Sequence, residues 1–104
     1  MFEEYMSELN NIKTQIVKLY SPLKIILFGS LAKKRLHQGS DIDICVVINT
    51  NNKRELIQEM QLKINSSISL DIILYTEEEW EQYHSNKSHF AYKIWSEGEE
   101  IYGG

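Results

Sequence analysis

Five positions carry residue types that could do chemistry together: Gly29, Ser30, Asp41, Asp43 and Asp71. The apolar run K-I-I-L-F stops at Gly29-Ser30, and ten residues later another apolar run opens with D-I-D. Side chains alternate along a strand, so Asp41 and Asp43 are expected on one face and Ile42 and Ile44 on the other. Their Cα atoms would then be roughly 6 to 7 Å apart. Two carboxylates this close repel each other and resist burial unless a cation lies between them. Magnesium suits such a pair, because it takes one or two protein carboxylates and fills its remaining positions with phosphate oxygens and water. Gly29 lets the backbone approach a ligand closely, and N–H groups at a helix start beside Ser30 would seat a phosphate. Asp71 lies inside the apolar run S-I-S-L-D-I-I-L-Y, where a charge is costly without a purpose. If that run is a strand beside the Asp41 strand, Asp71 joins the same acidic face. Three carboxylates holding two magnesium ions would equip the face for in-line displacement at phosphorus.

The plainer reading of each residue is a solvated one. Asp41 and Asp43 could simply open a strand after a Gly-Ser turn, and Asp71 could face water from an edge strand. The glycine–serine spacing and the third aspartate together favour the site.

The elements that must position these residues follow from periodicity. Phe2, Met6, Leu9, Ile12, Ile16 and Leu19 recur at helical spacing, which predicts a helix over residues 2 to 20, ended by Ser21-Pro22. Lys24 to Phe28 reads as a buried strand. Ser30 is placed to cap a short helix over Leu31 to Leu36, and His37 to Ser40 reads as a turn. A strand over Asp41 to Ile48 and a polar turn precede a helix from about Lys53 to Asn65. Ser69 to Tyr75 is a third strand. Thr76 and Glu79 match a capping box for a helix through Trp80 and Tyr83. Asn86 to Ser88 is a loop, and a last helix carries Phe90, Ile94 and Trp95, with Gly98 as its C′ glycine. The tail E-E-I-Y could add an edge strand. Helices and strands alternate throughout, so a two-layer α/β or α+β architecture is expected, with residues 1–104 as one domain.

The order G29-S30, ten residues, D41-x-D43 and a lone aspartate on a later strand resembles the signature of the nucleotidyltransferase superfamily with the polymerase-β-like fold. The apolar L-F before G-S, Ala32, and Ser40 before the first aspartate agree with it. The short chain with its N-terminal helix is similar to the minimal nucleotidyltransferases. Many of these are antitoxins paired with a small helical HEPN ribonuclease. The resemblance covers nearly the whole chain. It implies a small mixed sheet flanked by helices, with Asp41, Asp43 and Asp71 as catalytic metal ligands. It further implies that Gly29, Ser30, Lys33 and Ser40 bind the nucleotide phosphates, with ATP as substrate and magnesium, in two ions, as cofactor. In that group AMP is transferred to a tyrosine of the HEPN toxin, which becomes inactive. The family often has Arg-Ala-Arg-Gly after G-S, where this chain has Leu31-Ala32-Lys33-Lys34.

Composition narrows the alternatives. The chain has 104 residues, 42% hydrophobic and 25% charged, which is ordinary for a globular protein and leaves room for one compact core. A net charge of −4, with only Lys33-Lys34-Arg35 as a basic cluster, argues against nucleic acid as a partner. Cys45 is the sole cysteine, inside I-C-V-V-I, so it is expected to pack as a core residue in a reducing, cytoplasmic setting. No run approaches the roughly 18 residues a membrane span needs. His37, His84 and His89 have no metal-ligand spacing and are expected at the surface. Trp80, Tyr83, Tyr92, Trp95 and Tyr102 are expected mostly in the core, with a partner-binding face as the alternative, and homo- or hetero-oligomers are compatible with either. Two rivals to transfer onto a partner protein remain: a binding module that neutralises its partner by contact, and transfer to a small molecule. The latter lacks residues to hold its acceptor.

Overall fold

The computed structural model describes residues 1–103. Four strands form one sheet in the order β3-β2-β1-β4, with β1 Lys24–Phe28, β2 Ile42–Val47, β3 Leu70–Tyr75 and β4 Glu99–Tyr102. Both β2 and β4 run antiparallel to β1, while β3 runs parallel to β2. The parallel pair requires a crossover, which the helix α3, Lys53–Lys63, provides. The other helices are α1 (Phe2–Tyr20), α2 (Gly29–Ala32), α4 (Glu77–Tyr83) and α5 (Phe90–Glu97). This is an α+β fold with a small mixed sheet.

Strand alternation divides the core in two. Ile25, Leu27, Ile42, Ile44, Val46, Ile72 and Leu74 point to one face and pack under α1 and α3. Ile26, Cys45, Val47 and Tyr75 point to the other, beneath Trp80 of α4 and Ala91 and Ile94 of α5. Free cysteine packs as a small hydrophobe, and burial pushes the Cys45 thiol up to about 12.

Several expectations shift by a turn or a face. The buried stripe of α1 is Tyr5, Leu9, Ile12 and Ile16, whereas Phe2, Met6 and Leu19 are exposed. The helix does end at Ser21, in a left-handed conformation ahead of Pro22. The helix expected over Leu31 to Leu36 is instead one turn, Gly29–Ala32, and Ser30 does not cap it. The cap position falls on Phe28, because Gly29 already turns the chain into the helix with φ of +76°. The capping box forms as expected: the Glu79 N–H donates to Thr76 Oγ1 and the Thr76 N–H donates to Glu79 Oε1. Gly98 does close α5, although its backbone is extended and not left-handed. A Cβ there would collide with the Ile94 and Leu27 carbonyls, so the glycine answers to space between α5 and β1. The E-E-I-Y tail is the edge strand β4. None of the helices is long and apolar enough to cross a membrane among the described residues.

Candidate active site

The parallel pairing of β2 and β3 sets Asp43 directly opposite Asp71, and the antiparallel pairing with β1 sets Phe28 on the other side of Asp43. The row Phe28–Asp43–Asp71 therefore crosses three strands on the face that carries α4 and α5, with Phe28 against Phe90 of α5. Asp71 is exposed and Asp43 half-buried. Burial, together with the charge and hydrogen bond of Asp71 and the charge of Asp41, pushes the Asp43 carboxyl up to about 6. Asp41 lies one residue before β2 and not within it, so the expected same-face placement rests on Asp43 and Asp71.

Gly29 fixes the second half of the site. A Cβ on it would overlap the Asp43 carboxylate, so that carboxylate occupies the space a side chain would need. Glycine is thus required twice here, by the positive φ and by the contact. Ser30 follows within the first helical turn, where N–H groups lack intrahelical partners. Lys33 stands just past that turn, with its Nζ 2.7 Å from Glu97 on α5. Both groups are about 40% exposed, and a pair so open to water contributes little, so a phosphate can draw Lys33 away at small cost.

Ser40 is buried, and its hydroxyl accepts from the His37 N–H at 3.0 Å while its own N–H donates to the His37 carbonyl. Those bonds close the turn that delivers Asp41. The same turn is held from α1, where Tyr5 donates its hydroxyl to the Ser40 carbonyl at 2.6 Å. Tyr5 was not among the residues singled out by sequence. Its signal is its position, four residues before Leu9 on the true buried stripe, where a tyrosine must find a partner for its hydroxyl.

The donor set fits a divalent cation. Ion pairs among the described residues join Lys24 to Glu100, Lys33 to Glu97, Lys53 to Glu79 and Lys63 to Glu59, so no basic side chain neutralises the Asp43–Asp71 pair. Among the described residues no three potential ligands converge into a preformed cage. Two facing carboxylates with a third nearby match an ion that completes its shell with phosphate oxygens and water.

Acids that face each other across neighbouring strands beside a glycine turn form a carboxylate pair suited to a divalent cation and the phosphate oxygens it would bind. Residues 9–96 match the family model of the nucleotidyltransferase domain, and the chain belongs to that family. Domains of this family generally transfer nucleotides from nucleoside triphosphates with a divalent metal. Among solved structures, a crystal structure named for a nucleotidyltransferase, from Sulfolobus solfataricus, is similar in fold with a TM-score of 0.59. It is 23% identical, and the likeness covers 77% of each chain. No curated protein matches the sequence.

Proposed function

We propose that the protein is a magnesium-dependent nucleotidyltransferase that moves AMP from ATP onto a hydroxyl of a partner protein. The observation that carries the reading is the in-register facing of Asp43 and Asp71 beside Gly29, with no basic side chain among the described residues paired to them. Asp41, Asp43 and Asp71 would hold divalent cations, which when bound neutralise the triphosphate and the departing pyrophosphate and acidify the acceptor hydroxyl. Gly29, Ser30 and Lys33 would position the phosphates, while Ser40 would act through the turn that carries Asp41. The acceptor oxygen bonds to the α-phosphorus, the bond from that phosphorus to the pyrophosphate oxygen breaks, and Asp71 takes the hydroxyl proton. Asp71 is exposed, so a hydroxyl on a macromolecule can reach it. The resemblance to minimal nucleotidyltransferases supports a tyrosine of a HEPN toxin as acceptor and an antitoxin role.

One observation favours a second reading, neutralisation by contact alone. Leu31, where the family often has arginine, is a core residue and brings no cation to the phosphates, which leaves the seat with less charge to hold a triphosphate. Label transfer from α-labelled ATP to the co-expressed partner separates the two. Transfer is expected with the native chain and is expected to vanish with Asp41→Asn and Asp43→Asn combined. Unchanged transfer by that double variant would overturn the enzymatic proposal, and full neutralisation without transfer would establish contact as the mechanism.

A further inference from the structure

Beside the acids, α5 and the turn after β1 enclose a cavity of about 190 Å³ to which the chemistry above assigns no task. Its walls are Phe28, Gly29, Lys33, Phe90, Lys93 and Glu97, with Ile94 behind them. Gly29 connects it to the acids, since the same backbone that lines the cavity touches the Asp43 carboxylate. Phe28 and Phe90 meet edge to face, with ring centroids 5.9 Å apart and planes at 85°. Phe90 opens α5 and is 46% exposed, so a large part of its ring is free to take a flat partner.

The character of the walls decides what fits. Carbon dominates them through Phe28, Phe90 and Ile94, and of the two lysines one is already paired with Glu97. A phosphate would meet the Glu97 carboxylate, whereas a heterocycle would meet aromatic rings and an acceptor for its N–H groups. At about 190 Å³ the cavity lies below the roughly 300 to 1,000 Å³ of sites that enclose a whole drug-sized ligand. It therefore has room for one ring system and not for an entire nucleotide.

We propose that this cavity seats the base of the nucleotide whose phosphates face Gly29 and the acids, with Phe90 as the residue that grips it. The proposal rests on the nucleotidyl-transfer reading and adds to it the place where the nucleoside is held. Lys33 and Lys93 are exposed walls of the cavity that can face the phosphates, and Glu97 accepts from an N–H of the base.

Binding of ATP and of inorganic tripolyphosphate, each with magnesium, to the intact chain and its variants tests this by calorimetry. Phe90→Ala is expected to weaken ATP binding roughly five- to hundred-fold, the range that stacking of a base on an aromatic ring gives. Tripolyphosphate binding should be unchanged, and Phe90→Trp should restore the affinity for ATP. ATP binding that is indifferent to Phe90→Ala, or an equal loss for both ligands, would overturn the proposal. A loss of partner binding with ATP affinity intact would also overturn it, assigning the cavity to a partner side chain. A chain that binds ATP with this Phe90 dependence yet transfers nothing leaves the base site standing and sinks the transferase reading. A chain that binds neither ligand overturns both.

Discussion

At the scale of single residues, two positive backbone angles near the site have opposite standing. Gly29 adopts φ +76° with the Asp43 carboxylate against its Cα, so Gly29→Ala should both strain the backbone and displace the carboxylate. We expect a loss of about 1 to 2 kcal/mol from the backbone alone, read by urea denaturation, with weaker magnesium binding alongside it. Lys34 is also left-handed, at φ 57°. A lysine there holds a conformation that only glycine adopts freely. Lys34→Gly is expected to stabilise the protein by about 1 kcal/mol, again by urea denaturation, and no change or a loss would show that Lys34 has a compensating contact. The left-handed turn at Lys34 is closed locally, with the Lys34 N–H donating to the Leu31 carbonyl and the Arg35 N–H to the Ser30 carbonyl, whereas at Gly29 the carboxylate against the backbone comes from a neighbouring strand. The G-S break was legible as a break, but the capping role expected of Ser30 was not realised, because Gly29 itself begins the helix.

Among the elements, the acid-bearing strands were the most legible part of the molecule. Asp43 and Asp71 could be placed on one face from strand alternation, given only that their strands are neighbours, and the sheet makes them neighbours. The limits of β2 were less legible: it starts at Ile42, which leaves Asp41 in the connection. What periodicity could not reveal is how α1 and α5 serve the site, since both contributions depend on packing across the fold. Tyr5 of α1 reaches the Ser40 carbonyl, and Phe90 of α5 reaches Phe28. Removing the Tyr5 hydroxyl in Tyr5→Phe frees the turn before Asp41 while keeping the ring in the core. The expected stability loss is about 1 kcal/mol, with a proportionally larger fall in turnover than in nucleotide affinity. Equal effects on kcat and on KM, or none on either, would show that the hydrogen bond has no bearing on the acids.

For the molecule as a whole, the half-buried acid pair makes stability depend on pH and on metal. The Asp43 carboxyl, pushed up to about 6, holds its proton more tightly in the fold than does a free aspartate near about 3.9. The folded state therefore binds more protons between those values, and the contribution of Asp43 to stability falls as pH rises from about 4 through about 6. Glu8 and Glu79 act in the opposite sense, because hydrogen bonds from Ser67 and Thr76 hold their carboxyls below the usual range. Their contribution is lost only as pH falls through those lowered values, so the two effects occupy different windows. Thermal denaturation of the native chain and Asp43→Asn without metal should diverge progressively from pH 4 to pH 7, with the variant the more stable. Magnesium should narrow that gap by binding the ionised native pair. A gap independent of pH would mean that Asp43 titrates normally and that the pair is more solvated than its placement implies.

The parallel junction of β2 and β3 also has a kinetic consequence. The β1–β2 pairing closes over the short segment that holds α2 and the turn at Ser40, whereas the β2–β3 pairing must wait for α3 to cross over and return the chain. Asp43 and Asp71 cannot face each other before that crossover closes. The cation binding proposed for the pair would therefore belong to the nearly finished molecule, and its appearance during refolding would mark the moment at which the two halves of the chain have met.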